Sequence, residues 1–285
     1  MGGETAPRGE STAAMALTSL RGVLRSLRSG ARNFVKVLRA NPLTLFGFAL
    51  VVFISLTAVL VAVVPPVTGV LGHRVSLTPY DPNELLPCPT VGNQTVCAQP
   101  PSAQHFFGTD RAGRDVFSRV LTALPLDLAI GFLVAGFALL TGGGLGLVAG
   151  FWDRPGSIGA FVSGTIMRVT DVFLAFPSLV LALAIAATLG RGTIPCILAI
   201  VVTWWPYYVR LTRGEVLAVK HQPYVVAARA AGVPEWRILF RHVFRNILEP
   251  LVVYFTMDVG TVLVVFSTIS FIGIGVPPTS PSGGT

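Results

Sequence analysis

Few residues in this sequence have the type and setting to do chemistry. Asp171 and Asp258 lie in strongly apolar stretches, where an ionisable side chain must face protein or water rather than lipid. Two such acids could relay protons. The plainer reading pairs Asp171 with Arg168, one turn away, and gives Asp258 a hydrogen bond in helix packing. Pro177, Pro206 and Tyr208 lie in the same kind of stretch and are the other residues that could line a pathway. Cys88 and Cys97 are spaced either to close a small disulfide loop in an oxidising compartment or to remain two free thiols. His73, His105, His221 and His242 are scattered, with no His-x3-His or Cys-x2-Cys spacing, so no metal site is expected. Gly142, Gly143 and Gly144 are followed by no Lys-Ser or Lys-Thr and are not a phosphate loop. No nucleophile elbow is present. The chain reads as non-catalytic, with no cofactor of its own.

What must position these residues is a set of apolar helices. The composition is 52% hydrophobic and only 12% charged, which describes a polytopic membrane protein. Apolar runs at 43–64, 126–150, 167–189, 194–211 and 251–272 each approach the ~20 residues that cross hydrocarbon. The chain thus divides into an N-terminal tail (1–42), a first span (43–64), an external segment (65–125), a helical core (126–272) and a short external tail (273–285). Glycines 142, 143, 144 and 146 allow close helix packing in the second span, and Pro177 predicts a kink in the third. Trp204 and Trp205 beside Arg210 read as an interface belt. Arg and Lys crowd the tail before residue 40 and the segment 210–245, whereas acids outnumber bases between residues 65 and 127. This asymmetry puts the N-terminus and the segment near residue 230 in the cytoplasm, and it explains the net charge of +8 without nucleic acid. Asn93 opens a formal glycosylation acceptor, Asn-Gln-Thr, which would be idle in a bacterium.

Between the last two spans, the loop 213–246 is too basic to enter a bilayer. Arg229, Arg237, Arg241 and Arg245 would each cost about 2.5–3.5 kcal/mol at its centre. Pro223 suits a first helical position, and Tyr224, Ala227 and Ala228 follow on a turn rich in small residues. Gly232 is a natural stop, and Pro234-Glu235 opens a second short helix. On that helix Trp236, Leu239, Phe240, Val243 and Ile247 are expected on one face, with Arg237, Arg241 and Arg245 on the other shoulder. Two readings remain open on pattern alone: a docking surface for another protein, or a basic helix resting on anionic headgroups.

Several strings resemble one family. Ala227-Ala228-Arg229 with Gly232, His242-Val243 and Asn246 is similar to the "EAA" loop of ABC importer permeases. His105-x-x-Gly108-Thr109-Asp110-x-x-Gly113-Arg114-Asp115 resembles the signature of the dipeptide, oligopeptide and nickel branch. Arg168 to Pro177 and Ile269 to Pro278 resemble further strings of that branch, in its order. Departures are Val226 at the usual acid, Arg245 at the usual proline and Phe266 near a usual glutamate. Five spans are read where the family usually has six. The resemblance implies an all-α, type I ABC importer permease-like helical bundle in the bacterial inner membrane. It also implies a second permease subunit of similar fold, two cytoplasmic ATPases that hold ATP and Mg, and an external solute-binding protein. The rival reading, a proton-coupled secondary carrier using Asp171 and Asp258, would need none of these partners.

Overall fold

The computed structural model describes residues 41–70, 77–91, 94–153 and 156–275. The tail 1–40, Asn93 and residues 276–285 lie outside the described residues. The chain divides into two compact units, residues 1–56 and Thr57–Thr285. The described part of the first begins at Asn41, whose side chain accepts from Leu43 N at 3.0 Å. With Pro42 next, this is an N-cap followed by proline at the first helical position, and it starts α1 (Pro42–Val70).

The second unit opens outside the apolar helices with a short hairpin, β1 (Thr90–Val91) and β2 (Gln94–Thr95), beneath which Cys88 and Cys97 are joined as a disulfide. The hairpin arms are sewn to the turn at residues 108–115. Leu86 N donates to Gly113 O, Thr109 N donates to Gln99 O, and the Thr109 hydroxyl donates to Cys97 O. Gly113 has φ +80°, and a Cβ there would come within 2.9 Å of Leu86 O, so both conformation and space require glycine.

Asp115 caps α2 (Val116–Phe151) by accepting from Ser118 N at 2.8 Å. This helix of 36 residues is ~54 Å long and begins ten residues before the apolar run at 126–150, because the cap sits well outside hydrocarbon. α5 (Thr193–Lys220) crosses beside it. Gly142, Gly146 and Gly150 form one stripe of α2 against α5. A Cβ at Gly146 would lie 2.6 Å from Val209 O, one at Gly150 would lie 2.7 Å from Val216 Cβ, and Gly142 abuts Trp205 O. Small residues four apart let the two backbones touch. The long α5 also corrects the short fourth span at 194–211: the apolar run ends near Arg210, but the helix continues to Lys220.

The expected third span is two helices, α3 (Ile158–Leu174) and α4 (Ser178–Leu189), bent by 83°. Pro177 stands at the N-terminal cap of α4, so its fixed φ serves a break rather than a kink within one helix. After α6 (Pro223–Ala230) comes α7 (Glu235–Phe271), which contains a π segment, Ile238–Val243. No separate second short helix forms. Glu235 starts the same helix that carries the last apolar run. Among the described residues four helices are long and apolar enough to cross a membrane, five if the bent pair crosses as one. Two clusters make the core. The outer one joins α2, α4, α5 and α7 around Val134, Ile200, Tyr208 and Phe266; the other packs Phe151, Val216 and Val225 against Ile238, Val243 and Ile247.

Candidate functional site

The turn between α6 and α7 is closed by backbone geometry. Gly232 has φ +77°, its N–H donates to Arg229 O at 3.0 Å, and Val233 N–H donates to Ala228 O at 3.1 Å. These two bonds with a left-handed glycine are the Schellman arrangement, and Val233 with Ala228 provides its usual apolar contact. A Cβ at Gly232 would meet nothing within 4 Å, so the requirement is φ alone. Across the elbow Arg229 Nε donates to Glu235 Oε1 at 3.1 Å.

Val225 anchors α6 on Phe151 and Ile238, fully buried. Around it Tyr224, Ala227 and Arg229 are exposed, as are Trp236, Arg237 and Arg241; Ala228 is half-buried. The Arg237 guanidinium lies 5.3 Å from the centre of the Trp236 ring. The expected single apolar face of the second helix is corrected. Leu239, Val243 and Ile247 are buried, joined by Ile238, but Trp236 and Phe240 are each 60% exposed. The π segment widens one turn and rotates residues before it relative to those after it, which splits the face in two. The result is an inner stripe that fastens the loop and an outer pair of aromatics on its surface.

Three hydrogen bonds fastening this loop were not legible in the sequence. Lys220 Nζ donates to Gly150 O in the last turn of α2 at 3.0 Å and to Asp153 O just beyond the helix at 3.1 Å. Arg213 Nη2 donates to Asp153 Oδ2 at 2.8 Å. A cation over a helix C-terminus is a general pattern, but that it would come from α5 depends on the glycine-tight contact.

Asp258 is buried between α5 and α7. Trp204 Nε1–H donates to its two oxygens at 3.0 and 2.9 Å, and the Tyr208 hydroxyl donates to Oδ2 at 2.9 Å. Trp204 is therefore a buried partner of an acid, which corrects its reading as an interface anchor. Pro206 is buried within α5, and Pro177 is exposed. Asp171 does not pair with Arg168. It accepts from Arg210 Nη2 of α5 at 2.6 Å, since the fold places that guanidinium closer than the neighbour one turn away. Both partners are more than half exposed, so the pair adds about 0–1 kcal/mol. Asp171 and Asp258 share no partner among the described residues, an arrangement that does not favour a relay.

At the N-terminal end of α2, His105 Nδ1 lies 3.0 Å from Asp115 Oδ1, while Asp115 Oδ2 caps the helix. Burial pushes the Asp115 carboxyl up, but hydrogen bonds from Ser118 and the His105 ring outweigh it and leave the group below the usual carboxylate range. Asp110 is lowered in the same way: burial opposes the shift, and the Arg114 and Ala112 hydrogen bonds prevail. Among the described residues no group of three or more His, Cys, Asp or Glu could hold a metal.

The chain is similar to known proteins over most of its length. The family described as "Binding-protein-dependent transport system inner membrane component" matches residues 142–285. The probable D,D-dipeptide transport system permease protein DdpC of Escherichia coli (strain K12) is 34% identical over 260 residues, spanning 91% of this chain and 78% of that protein. The dipeptide transport system permease protein DppC of Alkalihalophilus pseudofirmus is 37% identical over 65% of this chain and 59% of its own length. The glutathione transport system permease protein GsiD of Escherichia coli O6:K15:H31 is 34% identical over 81% of this chain and 71% of that protein. An inward-facing structure of the MetNI methionine ABC transporter aligns with 55% of this chain and 76% of that chain at 20% identity and a TM-score of 0.48. On the extent of the family match and of its relatives' identity, the chain belongs to the binding-protein-dependent transport system inner membrane components, the permease subunits of type I ABC importers.

Proposed function

We propose that this chain forms half of the translocation pathway of an ATP-driven importer and receives its motion through residues 213–246. The observation that carries this reading is the elbow at Gly232, set on a buried anchor at Val225 and surrounded by exposed Tyr224, Ala227, Trp236 and Phe240. A surface built this rigidly and left apolar outside the bilayer suits a protein partner better than headgroups. The partners are two cytoplasmic ATPases holding ATP and Mg, a second permease subunit of similar fold, and an external solute-binding protein. The N-terminus and the elbow lie in the cytoplasm, in keeping with the excess of Arg and Lys there. ATP binding draws the ATPases together and pushes the elbow, shifting the bundle from inward-open to outward-open; hydrolysis resets it. The relatives are named for D,D-dipeptide, dipeptide and glutathione transport, so the solute class is a short peptide. Asp258 serves as a packing acid between α5 and α7, not as a proton carrier.

The test is a cysteine at Ala227 in the assembled transporter. Crosslinks to an ATPase through a photoreactive benzophenone maleimide attached to that thiol, with labelling by an impermeant maleimide only from the cytoplasmic side, are expected. Labelling from outside, or crosslinks to lipid alone, would overturn the reading.

A further inference from the structure

Between α2 and the part of α7 nearest the π segment lies a cavity of about 220 Å³, floored by Thr212 of α5. Its walls are apolar: Leu140, Gly143, Gly144, Leu248 and Val252. It opens at the surface of the bundle, where Leu140 is 77% exposed and Val252 52%. The floor carries an unexplained polar group. Thr122, Thr141, Thr165, Thr170 and Thr203 each donate their hydroxyl to a carbonyl one turn back in their own helix. Thr212 does not. It is 1% exposed, and its Oγ1 has no hydrogen-bond partner. A Cβ at Gly143 would lie 3.7 Å from that oxygen, an ordinary contact distance, so the hydroxyl sits directly behind Gly143, a residue of the cavity wall. The mouth carries a third feature. Arg245 is exposed, precedes Leu248 by three residues and Val252 by seven, and so stands on their stripe of α7. It forms no ion pair among the described residues.

An apolar slot open to the surroundings of the bundle, a hydroxyl donor at its floor and a guanidinium beyond its mouth match the parts of one molecule class. We propose that the slot is a binding site for an anionic phospholipid of the inner leaflet. One acyl chain lies along Gly143 and Gly144, an ester carbonyl accepts from the Thr212 hydroxyl, and the phosphate sits on Arg245. A peptide solute would leave its backbone groups without partners in so apolar a slot. A lipid would not, since its polar atoms lie only at the end near Thr212 and Arg245. The choice of leaflet rests on the topology proposed above; the site itself does not. Occupied, the slot braces α7 against α2 where protein contact alone leaves a gap.

The experiment uses the whole transporter, purified in mild detergent and equilibrated with phosphatidylglycerol or phosphatidylcholine, with bound lipid counted by native mass spectrometry. The unsubstituted complex is expected to retain roughly five-fold more phosphatidylglycerol, the preference one cation near a headgroup provides. Arg245→Gln should erase the preference, Thr212→Val should lower retention of both lipids, and Gly144→Leu should abolish it by filling the slot. A Cβ at Gly144 meets nothing within 4 Å, so that variant has room to fold. Should it fail to assemble, Gly143→Ala, whose Cβ would make ordinary contacts at 3.6 and 3.7 Å, covers Thr212 instead. Equal retention of the two lipids by all variants overturns the proposal. So does a photo-crosslinker at Leu248 that captures the second permease or another part of this chain rather than lipid. ATPase subunits counted in the same spectra keep the two readings apart: lipid retained without bound ATPase would sink the coupling role and leave the lipid site standing.

Discussion

α5 and α7 both pack on α2, and they do so in different ways. Against α5 the contact is backbone on backbone at Gly142 and Gly146 and backbone on the Val216 side chain at Gly150, and Lys220 and Arg213 fasten its end. Against α7 the helices are close at Gly131, where a Cβ would lie 3.0 Å from a Val259 methyl, and then part around the cavity. The part of α7 beside that cavity is the part preceded by the π segment. A contact without side chains between the backbones has no rotamers to rearrange, whereas one with a void and an over-wide turn can shift at small cost. In the proposed cycle α2 and α5 therefore move as one body carrying the elbow, and α7 flexes against it.

The comparison breaks first at Gly146. Gly146→Leu has no room, since even the Cβ would lie 2.6 Å from a backbone oxygen, and overpacking there should destabilise the bundle by about 3 kcal/mol. Gly144→Leu, two residues away on the cavity side, should change stability by less than about 0.5 kcal/mol. Thermal unfolding of both variants in one detergent is the measurement. Similar losses would mean that the two contacts are equally tight.

Lys220→Met removes the fastening while keeping the apolar stem. Two carbonyls at the end of α2 lose a charged donor, with an expected cost of about 2 kcal/mol. Hydrogen exchange at residues 148–153 should accelerate, and exchange in α7 should not. Unchanged exchange at α2 would show that the glycine stripe alone holds the pair.

How far the sequence reached follows the same division. The helices, the elbow and its glycine were legible because they depend on local signals: apolar runs, a first-turn proline, a residue with free φ. The glycine stripe was legible as a packing feature but not the helix it packs on, since that is set by the fold. The failures share this cause. Asp171, exposed, took Arg210 from another helix in place of Arg168 because the fold brings α5 beside it, and Trp204 turned inward to Asp258 because that buried carboxylate needs donors and α5 supplied them. The split of Trp236 and Phe240 from Leu239 and Val243 came from a π turn, which 3.6-residue periodicity cannot anticipate.

Gly232→Val tests whether the elbow transmits motion or merely ends a helix. The left-handed conformation should cost valine about 1–2 kcal/mol, too little to prevent membrane insertion. Substrate-stimulated ATP hydrolysis in the reconstituted complex is expected to be lost, while Gly232→Asn, which tolerates that φ, retains most of it. Normal stimulation in the valine variant would remove the lever from the mechanism.

The smallest effect lies at the opposite end of α2, where the contrast between α5 and α7 should have no influence. Asp115 titrates below the ordinary carboxylate value of 3.8 in the folded chain, because Ser118 and His105 favour its charged form over the opposing effect of burial. A group depressed by folding stabilises the fold fully above its unfolded value and loses that contribution as pH falls through the folded one. Asp110, depressed by its bonds from Arg114, has the same sign. Between neutral pH and about 4 the turn at residues 108–115 should therefore stay closed, and below 3.8 it should loosen as the cap protonates. Limited digestion with pepsin, which works in acid, is expected to cut within residues 99–115 increasingly below that point. The segment 139–151, held by glycine contacts and Lys220 rather than by a carboxylate side chain, should remain uncut over the same range. If both segments opened together, the outer cap and the inner glycine contact would be one cooperative unit, and the division of α2 into separately held ends would not stand.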